Sequence, residues 1–366
     1  MSFNGAGTFN INTAGQPVVA GTVISDTVFN ALTADLATGL STCITKDGQT
    51  TVTANIPMSS NKFTGLAAGT AAGDSVRYEQ VVLLTNAPIE LCEFRMTLTT
   101  GVPVTTADVT AATTVYVAPY KGNRIALYDG SATWNILSSV EMSIAVPATT
   151  ATMYDLFCYN NSGTATLEAT AWTNDTTRAT ALTTQNGILV KTGATTRRYL
   201  GSFRTTAVSG QTEDSLAKRF VWNYSNRVVR PMRVLDTTAS WTYNSTTWRQ
   251  ARAAAANQLD FIIGVSEDAV TAQVFTSASG TAAGQQAAVG IGLDVTNALT
   301  ANCLAPNFTT QTASNGDQIV ASLKVFPGVG RHFLSWNEAS PGSNTITFYG
   351  DINAYAHSGI QGDLYG

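Results

Sequence analysis

Arg124-Ile125-Ala126-Leu127-Tyr128, running straight into Asp129-Gly130, is the stretch that decides the fold. Aliphatic and aromatic side chains fit a pleated, half-buried surface. Asp-Gly supplies the positive backbone angles that a tight turn between antiparallel strands requires. The heptapeptide therefore predicts a strand entering a hairpin. Upstream, Glu93-Phe94-Arg95-Met96-Thr97-Leu98 alternates with period two, and so does Thr114-Val115-Tyr116-Val117. That period places every second side chain on one face of a strand.

Downstream the pattern repeats. Short strands are predicted over 153–159, 166–169, 188–190 and 199–203, separated by Asn160-Asn161-Ser162-Gly163, Asn186-Gly187 and Thr192-Gly193. A further series is predicted over 240–243, 259–265, 270–276, 287–293, 318–325 and 345–349. The Ala-rich run 248–256 predicts a short helix, and the terminal HSGIQGDLYG a strand with an exposed tail. Many short strands at this spacing predict a mainly β chain with two β-sandwich, jelly-roll-like domains. The expected divisions are a helical arm over 1–87, one sandwich over 88–235 and a second over 236–366. The last boundary is set at Arg230-Pro231 and Leu235-Asp236-Thr237-Thr238.

The arm reads differently. Ile24, Val28, Leu32, Leu36 and Leu40 recur every fourth residue, with Phe29 alongside, which is a helical stripe. Ser25 or Thr22 would cap it, since a side-chain oxygen can accept a free N–H of the first turn. A second helix is expected from Asp74, carrying Val76, Tyr78, Val81 and Val82. A lone helix of this length is marginal in water, so its apolar stripe calls for a partner surface.

Composition excludes several classes. Charged residues make up 12% of the 366, against 44% hydrophobic, and the formal net charge is −4. No basic run offers phosphate neutralisation, so no nucleic-acid partner is expected. No stretch reaches the ~18–20 apolar residues of a membrane span, so no membrane insertion is expected. The first residues lack the basic and apolar regions of a secretory signal, which implies synthesis in a cytoplasm without export. Cys43, Cys92, Cys158 and Cys303 are scattered and read as small buried thiols.

Catalytic signals are thin. His332 and His357 have no nearby histidine, so no metal site is expected. Ser215-Leu216-Ala217-Lys218 matches a Ser-x-x-Lys pattern without its companion motifs. Glu213, Asp214, Asp236, Asp260, Glu267 and Asp268 would be the carboxylates for glycan cleavage, but nothing in the spacing pairs them. No catalytic residue, metal or cofactor is assigned, and the chain is not expected to be an enzyme. The densest functional chemistry is Arg219, Phe220, Trp222, Tyr224, Arg227 and Arg230, preceded by Glu213-Asp214 as charge partners. Phe220, Trp222 and Tyr224 share one strand face, and Val221 and Asn223 the other. Arginine with aromatics suits an interface, between subunits or between domains. Trp241, Tyr243 and Trp248 form a second aromatic group, read as core.

One resemblance concerns the first quarter of the chain. Phe3-Asn4-Gly5-Ala6-Gly7-Thr8-Phe9, Gly21-Thr22-Val23-Ile24 and Phe29-Asn30 lead into Lys46-Asp47-Gly48-Gln49-Thr50-Thr51. Then come Asn55-Ile56-Pro57-Met58, Lys62-Phe63, Leu66, Asp74 and Tyr78. Together these resemble the N-termini of tail fibres and related virion proteins of tailed bacteriophages, with Ser59-Ser60 where a glycine is usual. Tyr120-Lys121-Gly122-Asn123, Trp172-Thr173-Asn174-Asp175 and Arg219-Phe220-Val221-Trp222 look like segments of phage structural proteins. The resemblance implies a β-rich virion protein, a homotrimer anchored by its N-terminus to other virion proteins of tail or capsid. Phe3, Phe9, Ile24, Val28, Phe29, Leu32, Leu36 and Leu40 would then serve anchoring and trimerisation. The projecting domains would meet a host surface glycan or protein. A capsid decoration or head-fibre protein, and a polysaccharide depolymerase tail spike, are the alternatives.

Overall fold

The computed structural model describes residues 19–41, 44, 51–53, 55–56, 58, 60–71, 73–76, 89–305, 308–309, 317–351 and 357–366. The chain divides into two units, Met1–Val81 and Val82–Gly366.

In the first unit, helix α1 (Asp26–Leu40) forms where the four-residue recurrence placed it. Ser25 is its N-cap, its hydroxyl accepting the Val28 N–H at 3.3 Å. Ile24, Phe29, Leu36 and Leu40 are exposed, and Val28 and Leu32 are half-buried. The helix expected from Asp74 falls on residues 77–88, outside the described residues. The Asp74 carboxylate accepts N–H groups from Thr70 and Ala71 behind it, at 2.8 and 2.9 Å. Phe3, Phe9, Cys43, Tyr78, Val81 and Val82 lie outside the described residues.

The second unit is mainly β. In chain order its strands begin with β1 (Phe94–Thr97), β2 (Val109–Ala112), β3 (Thr114–Pro119), β4 (Arg124–Tyr128), β5 (Trp134–Ser138) and β6 (Met142–Ala145). Next come β7 (Met153–Asn161), β8 (Thr164–Ala171), β9 (Leu182–Gln185), β10 (Ile188–Lys191), β11 (Ala194–Arg204), β12 (Thr212–Asp214) and β13 (Lys218–Arg219). Then follow β14 (Val221–Asn223), β15 (Val229–Leu235), β16 (Ser240–Tyr243), β17 (Arg249–Gln250), β18 (Gln258–Ile263) and β19 (Val270–Gly280). The series closes with β20 (Gln286–Leu293), β21 (Phe308–Thr309), β22 (Asp317–Val325), β23 (Gly330–Ala339), β24 (Ile346–Tyr349) and β25 (Gly359–Tyr365).

Three sheets organise the unit. A middle sheet runs β8-β7-β11-β10-β9, with β14 also on β11. A long sheet runs β2-β12-β13-β18-β23-β20-β21, with β17 on β23, and an outer sheet runs β15-β25-β19-β24-β16, with β22 on β19. A three-stranded sheet, β1-β3-β6, and the β4-β5 hairpin complete it.

The middle sheet is buried on both faces, and strand alternation explains how. Along β7, Met153 and Phe157 enter one core, while Tyr154, Leu156 and Cys158 enter another. Phe94, Met96, Val115, Ile125 and Leu127, from β1, β3 and the hairpin, close the second core. The first core continues into the long and outer sheets, through residues such as Phe261, Val274, Trp336 and Phe348. It therefore crosses position 235, with Phe220, Trp222 and Met232 on one side of that position and Trp241 on the other.

A bulge in β11 sets its side-chain directions. The pairing with β7 shifts between Tyr199 and Gly201, so an extra residue is inserted. Ser202 then shares the face of Tyr199, its hydroxyl 2.7 Å from both the Tyr199 hydroxyl and Asp155. Only glycine fits at 201, where a Cβ would lie 2.2 Å from the Trp222 carbonyl oxygen.

The Asp129-Gly130 hairpin is present, joining β4 to β5. Asp129 Oδ1 accepts the N–H groups of Ser131, Ala132 and Thr133 at 2.8, 3.1 and 3.1 Å. These bonds hold its carboxyl down to about 2. Two-residue turns form at Ser162-Gly163 and Asn186-Gly187, with positive φ at all four positions.

Two local expectations are corrected. The helix expected over 248–256 reduces to β17 and a single 3₁₀ turn, Ala251–Ala253, with Arg252 at φ 57°. Arg252 reaches Asp236 and Arg249 reaches Glu338, so the Ala-rich run is stretched between buried carboxylates. The terminal segment is not an exposed tail. β25 lies between β15 and β19, with Ile360 and Leu364 buried. Its glycines are the reason, since Cβ atoms at Gly359 and Gly362 would strike neighbouring backbone at 2.2 Å.

Candidate functional site

The structure brings the aromatic and arginine candidates together at the seam between the two cores. Phe220 and Trp222 enter the first core, with half-buried Tyr224 against it, and Val221 enters the second. Asn223 is turned the same way as Val221 and accepts the Met96 N–H at 2.6 Å. The predicted face alternation thus places two cores on opposite sides of one short strand. Arg219 and Arg230 are buried and share Asp214, at 2.9 and 2.6 Å. Arg227 holds Glu267 at 2.6 Å, pairs with Asp268 and lies over the Trp222 ring. These residues are used within the chain itself, in intrachain packing, and Trp222 is only 1% exposed.

The carboxylates considered for glycan cleavage are each engaged by cations. Glu213 meets Lys218 at 3.0 Å, Asp236 meets Arg252 at 2.8 Å, and Asp260 meets Arg331 at 2.5 Å. Burial alone would raise the Asp236 carboxyl, but donors from Arg252, Asn257 and Thr238 outweigh it and bring it below the ordinary range. Of the histidines, His332 is buried with Nδ1 2.8 Å from Asp294, and His357 pairs with Asp351. Cys92 and Cys158 are buried free thiols, and burial pushes Cys158 up to about 12. Trp241 is core, donating Nε1–H to Glu338 at 2.6 Å and stacking near Phe348.

The site that sequence reasoning missed is a groove of about 940 Å³ on the solvent face of the outer sheet. Its floor is set by register. Pro231, Asp363, Thr271 and Lys324 lie opposite one another in one row across β15, β25, β19 and β22. Arg233, Gln361, Gln273 and Ser322 form the next row, and Leu235, Gly359, Phe275 and Val320 the third. Asn302 and Leu304 add a wall. A second hollow of about 280 Å³ continues the groove past Arg233 and Gln361 to Phe275 and His357.

The polar groups of this groove are unlike those elsewhere. Among the described residues every other arginine donates to a carboxylate, carbonyl or hydroxyl oxygen. Among the described residues the Arg233 guanidinium has no such partner, and no side-chain partner is present for Lys324, Asp363, Gln273, Gln361 or Asn302. The sequence signal was present but weak: alternating polar residues along 229–235, 270–276 and 318–325 whose shared face only the strand order reveals.

No family model matches this sequence, and no curated protein matches it. Solved structures give distant likenesses. The Cry4Aa toxin of Bacillus thuringiensis is 7% identical with a TM-score of 0.21, over 71% of this chain and 51% of that one. An arabinoxylan arabinofuranohydrolase of glycoside hydrolase family 43 from Bacillus subtilis is 11% identical with a TM-score of 0.18, over 65% of this chain and 63% of that one. This chain therefore spans about half the length of the Cry4Aa chain, and likenesses this faint carry no argument about fold or activity. No helix among the described residues is long and apolar enough to cross a membrane.

Proposed function

We propose that this chain is a structural protein of a tailed phage particle, a fibre or spike working as a homotrimer. On this reading residues 1–87 anchor it to other virion proteins. Two β-sandwich, jelly-roll-like domains project from the particle and meet the host surface. Helix α1 is the observation that carries the reading. It forms where the apolar recurrence predicted, yet Ile24, Phe29, Leu36 and Leu40 stand exposed. A helix of 15 residues is marginal by itself. Two symmetry copies presenting the same stripe supply the missing apolar surface, as in a short helical bundle.

The test is the mass of the intact chain by light scattering. Three chains are expected, and Leu32→Asp with Leu36→Asp should reduce this to one, because a charge in an apolar helix seam is left unpaired. A monomeric mass for the unaltered chain would overturn the trimer. Electron micrographs of particles carrying the labelled protein decide between a tail fibre and a capsid decoration.

A further inference from the structure

We infer that the groove over β15, β25, β19 and β22 is a binding site for a saccharide chain bearing carboxylates. The inference deepens the attachment reading above by naming the ligand class and the residues that take it.

The argument begins with what the rest of the chain does to its charges. Arginines elsewhere among the described residues are held by the protein's own oxygens, Arg198 by four carbonyls. Arg233 stands exposed on an outer strand of the groove, with none of its guanidinium donors engaged among the described residues. Lys324 stands on the opposite strand, three inter-strand steps and one row away, which is about 16 Å at sheet spacing. Arg233 and Lys324 against Asp363 leave the groove one positive charge in excess, on a chain whose net charge is −4.

Between the two cations lie Gln361, Gln273, Thr271 and Ser322. Amides and hydroxyls both donate and accept, which suits the vicinal hydroxyls of a sugar. A guanidinium forks onto a carboxylate in a way that no neutral sugar reproduces. Phe275 and Leu235, at the continuation of the groove, offer apolar surface to the C–H side of a ring. A bound peptide would instead pair along a strand edge, whereas the side chains that line this groove project from the sheet face. Nucleic acid would need a denser cationic track than two groups. The floor is rigid sheet, so little ordering would be lost on binding.

The experiment titrates the full-length protein with tetragalacturonate and, separately, with maltotetraose, a neutral chain of equal length. Saturable binding of the acidic chain is expected, at least about tenfold tighter than the neutral one, and weakened by salt. Arg233→Ala and Lys324→Ala should each weaken it about tenfold, the loss of one charge-assisted bond. Arg233→Lys should fall between, because it keeps the charge and loses the fork. Lys121→Ala, which removes one exposed charge in the turn after β3, should change nothing. Far-ultraviolet circular dichroism of each variant confirms that the β-structure persists, and Gln273→Ala serves as a second probe if Arg233→Ala does not fold. Equal binding of the two saccharides overturns the inference. So does indifference to Arg233 and Lys324, or no saturable binding up to about 10 mM. None of these results alters the mass measurement that tests the trimer, so failure of the site and failure of the fibre reading are told apart.

Discussion

The middle sheet and the outer sheet are made of similar strands, yet they treat polar groups in opposite ways. Against the middle sheet Arg178, from the segment between β8 and β9, donates to Asp155, the Tyr199 hydroxyl and the Gly264 carbonyl, and on it Arg198 donates to the carbonyls of Ile89, Glu90, Leu91 and Ala126. Both faces of that sheet are covered, and a charge there survives only if its donors are satisfied. The cover over one face includes the β4-β5 hairpin, whose Gly130 comes close to Thr196 of β11. The outer sheet buries one face and leaves Arg233, Gln273, Gln361 and Lys324 in water on the other. Covered polar groups are structure; uncovered ones, if clustered on a rigid floor, are available for a ligand.

The strongest test of the covered side is Trp222→Ala. It should cost about 3–5 kcal/mol, the usual range for deleting a buried tryptophan side chain. The measurement is the denaturant midpoint of unfolding. A variant with an unchanged midpoint but reduced assembly would place Trp222 between subunits and break the intrachain account of the seam.

Next in size is Arg198→Met, which fills similar space but takes the guanidinium donors from four carbonyl oxygens, of which, among the described residues, only that of Leu91 keeps a backbone N–H, from Ala126. Burial already lowers the pKa of this guanidinium, so its charge is tolerated only through those bonds. A loss of about 3 kcal/mol or more is expected by the same unfolding measurement, since buried acceptors left unpaired are expensive. A neutral or stabilising outcome would show that the hairpin cover tolerates an apolar contact equally well.

The smallest effect concerns the turn of that cover. Asp129 titrates at about 2 in the folded chain against an ordinary 3.8. A carboxyl lowered by folding stabilises above its unfolded value, and the contribution is lost as pH falls through the folded value. The difference in melting temperature between the wild type and Asp129→Asn should therefore be constant above about pH 4 and shrink toward pH 2. A gap that stays constant down to pH 2 would mean that the amide replaces the carboxylate in the turn.

Much of this was legible along the chain. Helix α1 and its Ser25 cap, the Asp129-Gly130 hairpin, and strands near 153, 188, 199, 240, 270, 287, 318 and 345 followed from periodicity and turn residues. Those are local properties, decided by side-chain spacing and backbone preference. β23 was not legible. Arg331, His332, Asn337 and Glu338 interrupt its apolar residues, and all but Arg331 are buried, with partners at Asp294 and Ala298 in the loop after β20 and at Arg249 on β17. The Ala-rich 248–256 misled for the converse reason, since helix propensity yielded to the reach of Arg249 and Arg252 toward Glu338 and Asp236.

The sequence by itself determined the mainly β class, the exposed-stripe helix, and which residues of 220–224 share a face. Those follow from periods of two and about four and from the chemistry of turns. Tertiary structure decided what each face meets. It turned the arginine and aromatic cluster into a seam inside one chain, and it drew Arg233, Gln273, Gln361 and Lys324, spread over more than 120 residues, into adjacent rows. Strand order and register are long-range choices, made by cores that only the folded chain assembles.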